Sequence, residues 1–156
     1  MPQEHERFMR MALEEAAKGG AEGNAAIGSV VVRGDSLIAK GRNLVTSTHD
    51  LTAHAETVAL REAGSALGHV DLSGCTLYTT FEPCAMCGGA IMVSGVSTLV
   101  MGARINPLDT RYGAYAVEKL FELANWGDSI EVVTGVLIDE CSKIRSVWEE
   151  RNTSGR

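Results

Sequence analysis

The sequence predicts an α/β fold: a three-layer α-β-α sandwich built on a five-stranded mixed, mostly parallel sheet. Three observations carry that prediction. Segments with a helical stripe of apolar residues alternate with short β-branched or wholly apolar runs, as expected for a sheet covered on both faces. A Gly34-Asp35 turn joins two of the strand-like runs into a hairpin. Residues 102–129 separate the last two runs and contain a helical pattern, which suits a parallel crossover and is far too long for a hairpin.

Taken in order, residues 4–18 put Phe8, Met9, Ala12, Leu13 and Ala16 on one helical stripe, and Gly19-Gly20 is expected to stop it. Residues 27–33 are β-branched and read as a strand, with 36–41 as the returning arm. Residues 52–64 look helical, with Val58, Ala59 and Ala63 apolar. A strand over 75–81, a helix over 85–93 and an almost wholly apolar strand over 97–101 follow. The pattern then predicts a helix over 114–124, a strand over 130–134 and a final amphipathic helix over 138–150. No repeat, linker or low-complexity segment interrupts the 156 residues, so a single domain over 1–156 is expected, ending in a short polar tail, 152–156.

With 45% hydrophobic and 22% charged residues, the composition is that of an ordinary soluble globular protein. A net charge of -6 argues against a polyanionic partner, since phosphate binding needs clustered Lys and Arg. The start, MPQEHERFMRM, carries acids and no apolar core segment, unlike a signal peptide. Residues 83–103 carry no charge and are long enough to span a bilayer. Gly88, Gly89, Ser94, Gly95, Ser97 and Gly102 break that run, so a buried helix followed by a buried strand explains it better. The expectation is a cytoplasmic protein without a membrane segment, its four cysteines reduced, metal-bound or buried.

Two of those cysteines, Cys84 and Cys87, form a C-x-x-C just behind Pro83, at a strand-to-helix junction. Such a motif is either a redox dithiol or half of a zinc site. Thirty residues upstream, His54 and Glu56 stand in an H-x-E arrangement near a helix start. His54, Cys84 and Cys87 supply one nitrogen and two sulfurs, soft ligands that suit Zn²⁺. Both segments are helix N-termini, where backbone N–H groups and the helix dipole favour thiolates. His49, His69, Cys75 and Cys141 stand at no ligand spacing, so the fourth position is expected to stay open for water. Glu56 is either an acid favourable to the helix dipole or, beside that water, a proton carrier.

"HAE" at 54–56 followed by "PCAMC" at 83–87 resembles the H-x-E…P-C-x-x-C signature of the cytidine-deaminase superfamily of zinc deaminases. The likeness extends to "AIGSVVVRGDSLIAKGRN" and to "TLYTTFEPCAMCGGAIMVSGV", which resemble the branch holding cytosine, guanine and tRNA-adenosine deaminases. The resemblance implies that Glu56 takes a proton from a zinc-activated water. The water's oxygen then attacks a ring carbon that bears an amine. Glu56 protonates the ring nitrogen and finally the departing ammonia.

The resemblance also suggests substrate contacts. Asn43 is a turn residue or, as in this branch, a partner for the substrate's polar edge. Backbone N–H groups of Ala55 and of the Cys84 region could hold the substrate, and Phe81 either walls the pocket or joins the core. Trp148 is a core residue or, with Glu149 or Glu150, a C-terminal lid. Residues 102–114 resemble tRNA-adenosine deaminases, but Ala26 replaces their usual proline, and the segment from Cys141 lacks a strongly basic tail. The expected substrate is therefore a small-molecule heterocyclic amine, a free base such as cytosine, guanine or an amino-s-triazine, with tRNA adenosine in an anticodon loop as the alternative. A homodimer is expected, because Met86, Ile91, Met92 and Val93 cannot all face one sheet.

Overall fold

The computed structural model describes residues 2–152, so only Asn152 of the expected tail lies among the described residues. The chain forms α1 (Pro2–Ala21), β1 (Gly28–Arg33), β2 (Ser36–Arg42), α2 (Val45–Thr48), α3 (Ala55–Leu67), β3 (Cys75–Phe81), α4 (Ala85–Ser94), β4 (Thr98–Ala103), α5 (Val117–Leu123), β5 (Glu131–Val133) and α6 (Ile138–Arg151). The strands make one mixed sheet in the order β2-β1-β3-β4-β5. β1 runs antiparallel to both neighbours, while β3-β4 and β4-β5 are parallel. Two reversals restore direction, so β2, β3, β4 and β5 all point the same way and only β1 opposes them.

Side chains alternate across the sheet and so divide the core in two. Val31, Leu77, Leu99 and Met101 pack with Ala59, Ile91, Val117 and Phe121 under α3, α4 and α5. Val30, Val32, Tyr78 and Val100 pack with Phe8, Met9, Ala12 and Cys141 under α1 and α6. Those are the three layers that the alternation of elements predicts. No helix among the described residues is long and apolar enough to cross a membrane.

Common strand direction positions the site. Both β2 and β3 end at the same edge of the sheet, and the chain leaves each toward a helix N-terminus, α3 and α4. Close backbone approach holds α3 there. A Cβ on Gly41 would lie 2.4 Å from the Ala55 carbonyl oxygen and 2.5 Å from the Ala59 nitrogen, so the first turns of α3 sit directly on β2.

α3 begins at Ala55, three residues later than expected, and three further differences from the sequence expectation have tertiary reasons. α1 runs through Gly19-Gly20 because the turn after it is fixed by other groups, including the Asn24 N–H donating to the Gly19 carbonyl at 2.9 Å. α2 carries no buried residue and so leaves no apolar pattern. Its start is held by Asn24 Oδ1, which accepts from the Thr46 and Ser47 amides at 3.0 Å each. α5 begins at Val117, since Tyr115 is drawn away to donate its hydroxyl to the Pro83 carbonyl at 2.6 Å.

Gly41→Ala is expected to lower stability by about 1 to 3 kcal/mol by forcing α3 off β2. Urea unfolding of the zinc-loaded protein checks this: the midpoint should fall with the slope unchanged. An unchanged midpoint would mean that α3 does not depend on this contact.

Candidate active site

His54 and Cys84 occupy equivalent places. Each is the N-cap of its helix, α3 or α4, in an extended conformation with ψ of 158° and 176°, and neither side chain makes a capping hydrogen bond. Both side chains are thereby free to point at each other while the helices turn their positive ends toward them. Cys87 lies in the first turn of α4, fully buried. His54 Nδ1 stands 3.6 Å from the Cys84 sulfur and 3.5 Å from that of Cys87. A tetrahedral ion with Zn–S bonds of about 2.3 Å and Zn–N bonds of about 2.0 to 2.1 Å needs its sulfurs and nitrogen about 3.5 to 3.6 Å apart. The donor set and its spacing fit zinc. These three residues form the one such cluster found among the described residues.

Electrostatics agree with that use. A hydrogen bond from the Cys87 thiol holds the Cys84 thiol down to about 4, and His54 adds to the effect. Cys87, which gives that hydrogen bond and is buried, is pushed up. The proton held between the two sulfurs is one that a metal displaces on binding. His54 is raised, chiefly by its contact with Cys84. Glu56, one residue into α3 and 4% exposed, has its carboxyl pushed up to about 7 by burial, against the pull of His54.

A cavity of about 290 Å³ opens over the triad, and His54, Glu56, Cys84, Asn43, Phe81 and Trp148 all line it. Asn43 is buried, and its Oδ1 accepts from the Val45 amide at 3.0 Å, which orients the side chain at the head of α2. Ala55 is fully buried as the first residue of α3 and is not among the residues that line the cavity. Glu149 does not join the pocket. One position beyond Trp148 on α6, it turns into a neighbouring groove and pairs with Arg145 at 3.1 Å, while Glu150 is exposed. Cys75 is a core residue, and Cys141 packs against β4, where a Cβ on Gly102 would come within 2.3 Å of its sulfur.

Sequence reasoning missed three side chains. Glu82, between Phe81 and Pro83, is a buried carboxylate whose Oε1 accepts from the Ile105 amide at 3.1 Å. Its Oε2 accepts from the Val117 amide at 3.0 Å, and Arg104 pairs with it at 3.2 Å. It ties the loop between β4 and α5 to the segment carrying the cysteines. An acid standing immediately before a long uncharged run is the signal that marks it. Arg111 and Arg145 also line the pocket; Arg145, three residues before Trp148, shares that residue's helix face.

Known proteins agree with this geometry. The family description "Cytidine and deoxycytidylate deaminase zinc-binding region" matches residues 2–103. The chain is 38% identical over 144 residues to a tRNA-specific adenosine deaminase of Bacillus subtilis, covering 92% of this chain and 87% of that one. It is 39% identical over 149 residues to a tRNA-specific adenosine deaminase of Haemophilus influenzae, covering 94% and 84%. Among solved structures, a guanine deaminase from Nitrosomonas europaea superposes with a TM-score of 0.81 at 31% identity, covering 93% and 84%.

Glu82→Ala is expected to cost about 2 to 4 kcal/mol, because two buried backbone N–H groups lose their acceptor. Glu82→Gln, which keeps one acceptor oxygen, should cost less. Thermal unfolding of the two variants checks the order; equal losses would mean that the two amides are not what the carboxylate holds.

Proposed function

As a member of the cytidine and deoxycytidylate deaminase family, the chain is a zinc-dependent hydrolytic deaminase, and we propose that it converts an adenosine of a tRNA anticodon loop to inosine. The observation that carries this reading is the likeness over 92% and 94% of the chain to two tRNA-specific adenosine deaminases. It favours the tRNA alternative over the free-base expectation, which rested on the net charge, on Ala26 in place of a proline and on the lack of a strongly basic tail. Net charge misleads here because the cations are local: Arg111 and Arg145 line the pocket of a chain whose total is -6. A free purine remains the second reading, supported by the likeness to the Nitrosomonas guanine deaminase and by Trp148 standing over a small cavity.

In this reading His54, Cys84 and Cys87 hold the metal, which when bound lowers the pKa of a water to about 7 and so supplies a nucleophile at neutral pH. Glu56 does the proton work. Its carboxylate accepts a proton as water adds to the amine-bearing ring carbon, gives it to the ring nitrogen, and then carries a proton to the leaving amine. Ammonia departs and a carbonyl remains. Burial favours the neutral carboxyl, which the second half of that cycle requires. The Asn43 amide offers a donor and an acceptor to the base edge, and Phe81 and Trp148 exclude water from its faces.

A second copy of the chain is the proposed partner. On the outer side of α3 and α4, Leu60, Val70, Ala90 and Val93 line an apolar groove of about 610 Å³. Val70 and Val93 are 88% and 85% exposed there, a surface that an isolated chain leaves wet. Light scattering at micromolar concentration should give twice the mass of the 16.6 kDa chain; a single-chain mass would remove this proposal.

The substrate reading is tested with the zinc-loaded enzyme and a tRNA anticodon stem-loop beside free adenine, guanine and cytosine. Inosine should form in the stem-loop, with a rate at limiting substrate that falls steeply as salt rises, since each neutralised phosphate contributes about 0.7 to 0.9 to the log–log slope. Salt-insensitive ammonia release from a free base, with the stem-loop untouched, would promote the second reading. Glu56→Ala should retain its zinc and its fold and lose about a hundredfold or more in turnover. Near-normal turnover by that variant would remove Glu56 from the chemistry.

A further inference from the structure

Arg145 has no part in the chemistry above, yet its state is unusual for an arginine. Its guanidinium carbon lies 4.9 Å from the ring centre of Phe81 and 4.9 Å from that of Trp148, and the side chain is only 16% exposed. Of its five donors, none makes a hydrogen bond among the described residues. Nε is ion-paired with Glu149 Oε1 at 3.1 Å but out of line for a hydrogen bond, so it is buried without an acceptor. Desolvation opposes its charge. Such a cation costs stability unless something accepts its donors.

Its position says what could accept them. Arg145, Arg111, Tyr112 and Phe81 line both the catalytic pocket and an adjoining groove of about 240 Å³, so they form the wall between the two. Arg111 is partly spent, donating Nε and Nη2 to Asp109 at 2.9 and 2.6 Å. A planar cation fixed between aromatic rings at the rim of a base-sized pocket matches the needs of a nucleotide: faces for stacking and a fork for phosphate oxygens.

We propose that Arg145, assisted by Arg111, binds a phosphate group carried by the substrate next to the base that enters the pocket. The inference rests on the deaminase reading of that pocket. The phosphate belongs either to an RNA backbone or to a free nucleotide, and these two sources are separable by experiment.

Trp148 reports on the site, because Arg145 lies against its ring. In the zinc-loaded protein with Trp126→Phe, a loop residue outside the pocket lining, Trp148 is the sole tryptophan. Its fluorescence is titrated with three product-like probes: the trinucleotide uridine–inosine–uridine, inosine 5′-monophosphate and inosine. Arg145→Met should weaken the trinucleotide about tenfold or more, and Arg145→Lys less, since lysine keeps the charge but not the fork. A methylphosphonate at the linkage 5′ or 3′ to the inosine should weaken binding to the intact Arg145 protein by a similar factor. Equal affinity for both methylphosphonates and the natural trinucleotide would overturn the proposal, whether or not the variants fold. So would unchanged binding by a folded Arg145→Met protein. If inosine 5′-monophosphate binds as tightly as the trinucleotide and inosine does not, the phosphate site stands with a free nucleotide as its ligand. The tRNA reading has its own readout, inosine formed in the stem-loop, so either can fail without the other.

Discussion

Two helices begin at one edge of the sheet, and the residue that would ordinarily cap each of them is instead a metal-ligand side chain. That convergence is the constraint on which the rest depends. It brings His54 Nδ1 to 3.6 and 3.5 Å from the Cys84 and Cys87 sulfurs, and it requires β2 and β3 to run the same way. Gly41 permits the first helix to sit low on β2, and the hydroxyl of Tyr115 and the carboxylate of Glu82 fix the segment before the second. The site's precision comes from backbone approach and buried hydrogen bonds, with the metal closing what the fold has already nearly closed.

The same convergence sets the chemistry. Glu56 is two residues past the His54 cap, so the first turn of α3 carries it to the pocket alongside the ligand. Because that turn is buried, the carboxyl is pushed up to about 7, which supports the proposed role as a group that first accepts and later donates a proton. Asn43, held by the Val45 amide, and the aromatic pair Phe81 and Trp148 complete a small enclosure that Arg111 and Arg145 also line.

Much of this was legible in the sequence because its causes are local. The unbroken run Val30, Val31 and Val32 marks a strand covered on both faces, and His54, Cys84 and Cys87 carry the ligand spacing on their own. What escaped has non-local causes. α1 passes through two glycines because Asn24 and its neighbours fix the turn beyond them, and α2 has no buried face to leave a pattern. Arg145 carries no signal beyond lying in the helical pattern over 138–150; only the fold sets it against Phe81 and Trp148. Glu149 was named beside Trp148 but faces the next groove, since a helix turns about 100° per residue. The choice between substrates is not legible in composition for a related reason: a total of -6 says little about which charges surround a pocket.

X-ray absorption at the zinc edge of the protein purified without chelators tests the central claim most directly. The account predicts one zinc per chain with two sulfurs at about 2.3 Å, one imidazole nitrogen at about 2.0 to 2.1 Å, and one further light atom from solvent. A shell of three or four sulfurs, or a well-folded protein that holds no zinc, would contradict it.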